Sequence, residues 1–453
     1  MPPFESTAIR SPKEEALLGL LLMLFVCRAI LASAIVPPWQ GPDEPVHFVV
    51  AQVLAIPDVP AASARPELER QTLESMGRHR WWEPYGGRTP SVLTSFTDAT
   101  TRLGVGVTAQ PLYYGVASAV LRVAEPATID AAYWRLRVLS ISLTVVTLAL
   151  AWAGTRLLFG TAVAAGSTAI AALHPQLLLT AINVNPDALL NVWGAFMWWQ
   201  VARVVRRHRT GMSLLLVAIA ATAALLTKRS AVPLGGAAVI VLVFLMIVSH
   251  EERITHRIRH RSILLVLTAL TVCALAVGGG WLAFSAAFRD LGVFWWNGLD
   301  MRRPLDARML SQAAQYLRIS IDYAWLVAGW LRFPAPEPWL WVTRTLTVGG
   351  FASAAVLMFR SPELRRPLAI AWLFVIVQAA TVIGWGFLTL SSPQGRYLFP
   401  VTAPATALLW LGLRQATPAQ FRPYSAPALV ALLAVLDATG FTAVLIPAYL
   451  PWG

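Results

Sequence analysis

Two neighbouring carboxylates, Asp43 and Glu44, stand in a proline-framed stretch, Pro37-Pro38-Trp39-Gln40-Gly41-Pro42-Asp43-Glu44-Pro45-Val46-His47, where the first apolar run ends. Carboxylates are scarce in this chain, 23 Asp and Glu among 453 residues, so an adjacent pair at an apolar boundary needs a reason. A carboxylate kept near lipid can have a raised pKa and take a proton from a hydroxyl, which is general-base chemistry. Pro45 suits the first turn of a following helix, 45–56, which would hold both carboxylates at that helix's N-terminus. Asp43 is the choice for the base, with Glu44 in support. The plainer reading is that one of the two caps the helix, which leaves the other without a role. Together they are also the candidates for holding a divalent cation, Mg or Mn. An acidic pair does not complete an octahedral shell by itself, although water and phosphate could. His47, one turn on, reads as a packed or hydrogen-bonding neighbour, since no second histidine is spaced for ligation.

Candidate anion partners lie further along. Lys228 and Arg229 end an apolar run on the side where positive charge is disfavoured, and Arg396 sits between Gly395 and Tyr397 at the start of another. Arginine can grip a phosphate with two parallel bonds, while lysine acts as a point charge. Each could instead snorkel to lipid headgroups. Arg137, at the start of a span, is a weaker candidate of the same kind. Asp187, in the turn Asn185-Pro186-Asp187, could cap its own helix or take part in a site.

The elements that must position these residues are set by composition. The chain is 57% hydrophobic and 13% charged, about half the charge of a water-soluble domain. It reads as an all-α polytopic membrane protein. The formal charge of +13 lies mostly in Arg and Lys clusters between apolar runs, a topology signal that argues against nucleic-acid binding. Cys27 and Cys273 fall within apolar runs and read as small hydrophobes rather than a disulfide or metal pair.

Apolar runs predict helices at 15–36, 134–158, 161–181, 187–205, 212–227, 231–249, 262–288, 339–359, 367–390, 397–413 and 424–446, about 11 crossings. The 15–36 run resembles a signal peptide in its basic flank and in Ala32-Ser33-Ala34. Arg28 interrupts it, however, and Ala16 to Val36 reaches about 31 Å, so a retained span is expected. Basic loops at 203–209, 253–261, 360–366 and 414–422 set the N-terminus in the cytoplasm and the C-terminus outside. The predicted organisation is a cytoplasmic N-terminus (1–14) and a transmembrane module (15–288) that includes a long outer loop (37–133). A second outer segment (289–338) and C-terminal transmembrane helices (339–453) follow. The apolar run after Gln110 is too short to cross and reads as a juxtamembrane or re-entrant helix. Arg28, His174 and Asp437 interrupt spans without forming an obvious relay of ionisable groups.

The order of short motifs resembles the GT-C superfamily, the polytopic glycosyltransferases that take sugars from polyprenyl phosphates. These motifs are Pro42-Asp43-Glu44-Pro45-Val46-His47, Gln110-Pro111-Leu112-Tyr113-Tyr114, Arg135-Leu136-Arg137-Val138-Leu139-Ser140, Asn185-Pro186-Asp187-Ala188-Leu189, Leu226-Thr227-Lys228-Arg229 and Gly395-Arg396-Tyr397-Leu398-Phe399-Pro400. They run through nearly the whole chain. Within it the chain looks like a branch marked by the Pro-Asp-Glu-Pro-x-His signature; Gln110 departs from it, standing where many relatives have histidine or proline. The resemblance implies a GT-C-like fold and a catalytic acid residue in the first outer loop, at Asp43 or Glu44. It also implies a polyprenyl-phosphate sugar donor, a glycan, glycolipid or protein acceptor, and work in the cell membrane on envelope biogenesis. Lys228, Arg229, Arg396 and Arg137 would meet the phosphate, with His47, Asp187, Tyr113 and Tyr397 in support. One displacement at the anomeric carbon implies inversion. The competing readings are a transporter or flippase for a lipid-linked sugar and a non-catalytic assembly subunit. A transporter would show inverted repeats and midplane polar sites; here the charges gather at the span ends.

Overall fold

A computed structural model describes residues 12–56, 60–81, 95–97, 99, 110–123, 126–206, 210–248, 309–388 and 394–450. The expected span 262–288, the 253–261 basic loop and the 289–308 part of the second outer segment lie outside the described residues. Helices α1 (Pro12–Ile35), α2 (Glu44–Ala55), α3 (Ala61–Arg78), α4 (Pro111–Val123), α5 (Ile129–Phe159), α6 (Thr161–Ala172), α7 (Pro175–Ala181), α8 (Asp187–Val205), α9 (Thr210–Thr227) and α10 (Val232–Val248) form the first part. The second part holds α11 (Met309–Trp325), α12 (Glu337–Arg360), α13 (Pro362–Leu388), α14 (Thr402–Ala416), α15 (Ser425–Gly440) and α16 (Ile446–Tyr449). Between α11 and α12 a two-residue antiparallel ladder pairs β1 (Val327–Ala328) with β2 (Phe333–Pro334).

The chain is thus mostly helical and multi-pass. Among the described residues, 5 helices are long and apolar enough to cross a membrane, or 6 if α6 and α7 count as one bent span. The other expected crossings within the described residues correspond to shorter helices. The run expected at 397–413 begins instead as a 3-10 segment, Gly395–Val401, and becomes α-helical only at α14. The run expected at 424–446 continues from α15 through one π-helical turn, Phe441–Leu445, into α16.

The helix expected over 161–181 is broken, its halves bent by 66°. Pro175 lacks an N–H and crowds the preceding turn, so helical pairing stops there. His174 becomes the cap of α7, its Nδ1 accepting from the Leu177 N–H at 3.4 Å, and its ring stacks on Trp325 at 4.7 Å. Inside a membrane the carbonyls freed by such a break must find donors within the protein. Arg28 supplies them, donating to the carbonyls of Ala172 and Leu173. The same guanidinium pairs with Asp437 of α15, Nε to Oδ2 at 2.7 Å. The three ionisable residues that interrupt apolar runs in the sequence therefore meet at one place: two bond each other and the third caps the break.

Two cores result. The larger lies within the helical bundle, from Phe25 of α1 to Leu436 of α15. A second, rich in aromatics, packs α2, α3, α4 and the start of α5 around Trp39, Phe48, Met76, Tyr113, Tyr114 and Tyr133. The described helices of the long first loop therefore fold as a packed layer, and α2 enters that layer with the acidic pair at its tip.

Candidate active site

Four segments converge on one cluster of charges. The first is the turn into α2, where Asp43 takes a left-handed conformation (φ 65°). Its side chain makes no capping bond to α2. Instead the carboxylate receives Arg396 Nη2 at 3.0 Å. The second is the Asn185-Pro186-Asp187 turn, where the Asp187 N–H donates to Asn185 Oδ1 at 2.8 Å and fixes the start of α8. Asp187 is buried there, with Lys228 Nζ at 2.5 Å and Arg396 Nε at 3.5 Å.

Lys228 arrives as α9 ends, and Arg229 follows, exposed, in a 3-10 turn. Arg396 arrives on the segment Gly395–Val401 and is nearly inaccessible to solvent. Its Nε donates to Gln394 Oε1 at 2.8 Å and its Nη1 to the Pro42 carbonyl at 3.3 Å. Tyr397 turns its ring toward both cations, 4.5 Å from Lys228 Nζ and 5.4 Å from the Arg396 guanidinium carbon. The resulting chain of alternating charge runs Asp43, Arg396, Asp187, Lys228. Its close approach depends on Gly395: a Cβ there would lie 2.1 Å from the backbone nitrogen and Cα of Ala324.

Glu44 is built differently from Asp43. It is fully buried, and both of its oxygens are occupied. Oε2 accepts from the Gly41 N–H at 3.1 Å, while Oε1 accepts from the Val184 N–H at 2.8 Å and from the Tyr133 hydroxyl at 2.8 Å. Burial pushes its carboxyl up from the usual range, opposed by the Arg137 guanidinium and these three donors.

Arg137 lies on the far side of Tyr133. It donates to the Tyr133 hydroxyl at 2.6 Å and to the Val36 carbonyl at 3.0 Å, packing against the Tyr133 and Trp134 rings. It thus ties α5 to the end of α1, apart from the Arg396 cluster. His47 is buried and bonds the Tyr114 hydroxyl through Nδ1 at 2.7 Å. Burial, then the nearby charges of Lys228 and Arg396, push its pKa down to about 3 and keep the ring neutral. Tyr113 packs edge-on against Tyr114 in the same layer.

A cleft with about 470 Å³ of space, including its open mouth, adjoins the cluster. Arg396 and Pro42 form part of its wall, joined by Gln176, Thr180, Asn183, Trp330 and Gln394. Amides, a hydroxyl and an indole are the groups that meet hydroxylated ligands. Gln394 and Asn183 are near motifs visible in the sequence, next to Gly395-Arg396 and two residues before Asn185. Gln176 and Trp330 carried no such signal; their places depend on the α6–α7 break and on Trp330 Nε1, which donates to the Trp39 carbonyl at 3.0 Å.

Among the described residues, no group of three His, Cys, Asp or Glu side chains could hold a metal ion. Asp43 is bound by Arg396 and Glu44 is filled by three donors, so a divalent cation at this pair would have to displace Arg396 from Asp43.

Residues 127–276 match the family model described as dolichyl-phosphate-mannose-protein mannosyltransferase. The match covers about a third of the chain, and the Pro42–His47 stretch lies outside it. No curated protein matches the chain. Among solved structures, it is similar to the apo oligosaccharyltransferase of Archaeoglobus fulgidus, with 12% identity and a TM-score of 0.49 over 94% of this chain and 54% of that one. It is similar to ArnT from Cupriavidus metallidurans bound to undecaprenyl phosphate, with 16% identity and a TM-score of 0.48 over 93% and 64%. A third is AglB from Archaeoglobus fulgidus in complex with an inhibitory peptide and a dolichol-phosphate, with 14% identity and a TM-score of 0.48 over 94% and 56%. The chain spans just over half the length of the archaeal enzyme and under two thirds of ArnT.

Proposed function

We propose that this chain is a GT-C-type membrane glycosyltransferase. It takes a sugar from a polyprenyl monophosphate carrier and places it on a hydroxyl of an envelope glycan, glycolipid or protein at the outer face of the cytoplasmic membrane. The observation that carries the reading is the gathering of Asp43, Arg396, Asp187 and Lys228 into one cluster beside a cleft lined by amides and an indole. On this reading about 11 crossings leave the N-terminus inside and the C-terminus outside, as the basic loops require. The module 15–288 then includes the outer loop 37–133, with a second outer segment, 289–338, and C-terminal transmembrane helices, 339–453, after it.

The chemistry follows from the charges. The acceptor oxygen bonds to the anomeric carbon while the bond from that carbon to the phosphate oxygen breaks, which inverts the centre. Asp43 takes the acceptor proton. The charge left on the departing lipid phosphate is met by Arg396 and Lys228, with the exposed Arg229 within the same turn to add to the local positive potential. Asp187 holds the two cations side by side, and Tyr397 backs both. Arg396 is paired with Asp43, so an arriving phosphate would compete for the guanidinium and release the carboxylate to act as base.

Purified full-length protein supplied with polyprenyl-phosphate-linked labelled sugars and a panel of hydroxyl acceptors tests this. Transfer with release of polyprenyl phosphate is expected, and the flippase and assembly-subunit readings both expect no turnover. Asp43→Asn should lose about 10²–10⁴-fold in turnover, the usual worth of a positioned base. Full activity in that variant would remove Asp43 from the role.

A further inference from the structure

We infer that Glu44 is a positioning residue, neither base nor metal ligand, whose three hydrogen bonds lock the Asp43 turn onto the segment that delivers Asp187. The inference rests on the transferase reading for its kinetic consequence, but its geometry stands alone. Gly41, Tyr133 and Val184 belong to three separate stretches of chain, and the Glu44 carboxylate receives a donor from each. Val184 is three residues before Asp187, and Glu44 is the residue after Asp43, so one side chain sets the spacing of the two aspartates. A second contact reinforces the junction: the Gly41 backbone lies so close to Asn183 that a Cβ would meet its side chain at 2.5 Å. Asp43 and Asp187 in turn flank Arg396, at 3.0 and 3.5 Å. The left-handed Asp43 backbone gives that carboxylate its direction, and Glu44 is the anchor that keeps it.

Length should therefore matter more than charge at this position. A glutamine can keep its oxygen where Oε1 stands, retaining the Val184 and Tyr133 bonds and losing only the Gly41 one. An aspartate keeps the carboxylate but is shorter by about 1.5 Å and cannot reach all three donors. A base or metal ligand would give the opposite order, since Glu44→Asp preserves the acid and Glu44→Gln destroys it. A role confined to general stability would lower the melting temperature of both variants and leave their constants intact.

The experiment uses the full-length protein and the variants Glu44→Gln, Glu44→Asp and Tyr133→Phe. It measures donor KM and kcat, binding of undecaprenyl phosphate alone, and amide hydrogen exchange over 40–47, 183–187 and 394–398. Glu44→Asp is expected to lower kcat about 10²-fold, the cost of misplacing a reacting group by an ångström. Glu44→Gln should cost about tenfold, the loss of one hydrogen bond, and Tyr133→Phe, which removes both the bond to Glu44 and an acceptor of Arg137, should fall between Glu44→Gln and Glu44→Asp. Exchange should rise in all three segments for Glu44→Asp and only near Gly41 for Glu44→Gln. If the aspartate variant outperforms the glutamine one, or exchange in the 183–187 and 394–398 segments does not change in Glu44→Asp, the assignment is overturned. If the wild type transfers no sugar, the function fails by itself, and the exchange pattern still decides the anchor.

Discussion

The ion pair between the first and last spans can be taken apart quantitatively. Asp437→Ala removes both acceptors from the Arg28 guanidinium and leaves it buried against the Ala172 and Leu173 carbonyls alone. Breaking a buried pair at one end typically costs about 3–5 kcal/mol, because the remaining charge stays desolvated. That is comparable with the roughly 2.5–3.5 kcal/mol of inserting an arginine at mid-span. Arg28→Leu should cost a similar amount, since it strands Asp437 and the two carbonyls together. The double variant removes both charges and leaves only the carbonyls, worth about 1–3 kcal/mol each if unsatisfied. Its cost should therefore fall below the sum of the single ones by about 0.5–3 kcal/mol, the coupling expected of groups in direct contact. Reversible unfolding in mixed detergent micelles measures all four corners of the cycle. Strict additivity, or an Asp437→Ala protein within about 1 kcal/mol of the parent, would refute the claim that this pair supports the broken helix.

Two further outcomes follow from the site. Gly395→Ala places a methyl group against the Ala324 backbone, so the 394–396 segment must shift, at about 1–3 kcal/mol for overpacking. Because Arg396 is the next residue, undecaprenyl phosphate binding should weaken along with the melting temperature; unchanged binding would mean the close approach does not position Arg396. The second concerns pH. His47 titrates near pH 3 when folded and near 6.5 when not, so between those values the unfolded chain binds a proton that the native one does not. Stability should accordingly rise with pH across that window, and His47→Gln should flatten the rise; equal slopes in chemical unfolding from pH 4 to 7 would exclude His47 as its source.

Local features of this chain were legible in the sequence, and pairings were not. The helix after the acidic pair was expected from Pro45 and starts at Glu44; the short apolar run after Gln110 forms the thirteen-residue Pro111–Val123 helix. These follow from proline stereochemistry and run length, which act over a few residues. The break in the 161–181 run was missed because its apolar character continues through it, although Pro175 was in plain view. Once a proline interrupts a membrane helix, carbonyls are left wanting donors. An arginine in the middle of another span was therefore a ready answer to a question the run length alone did not raise.

The same reasoning explains why the cluster around Arg396 could be nominated but not assembled. In an apolar chain a buried charge needs an opposite charge or hydrogen-bonding partners; Lys228, Arg396 and Arg28 found acids, while Arg137 is met by the Tyr133 hydroxyl and the Val36 carbonyl. Few acids were on offer, Asp43, Glu44, Asp187 and Asp437 among them, which narrows the pairings without choosing one. The choice depends on contacts between residues 353 and 409 positions apart, Asp43 with Arg396 and Arg28 with Asp437. Periodicity and composition carry no register over such distances. What could have tipped the balance is depth: Arg28 and Asp437 lie within spans, while Asp43, Lys228 and Arg396 lie at their ends. Matching charges by depth before matching them by role would have paired the spanning residues with each other and left the end-of-span acids to meet the end-of-span cations.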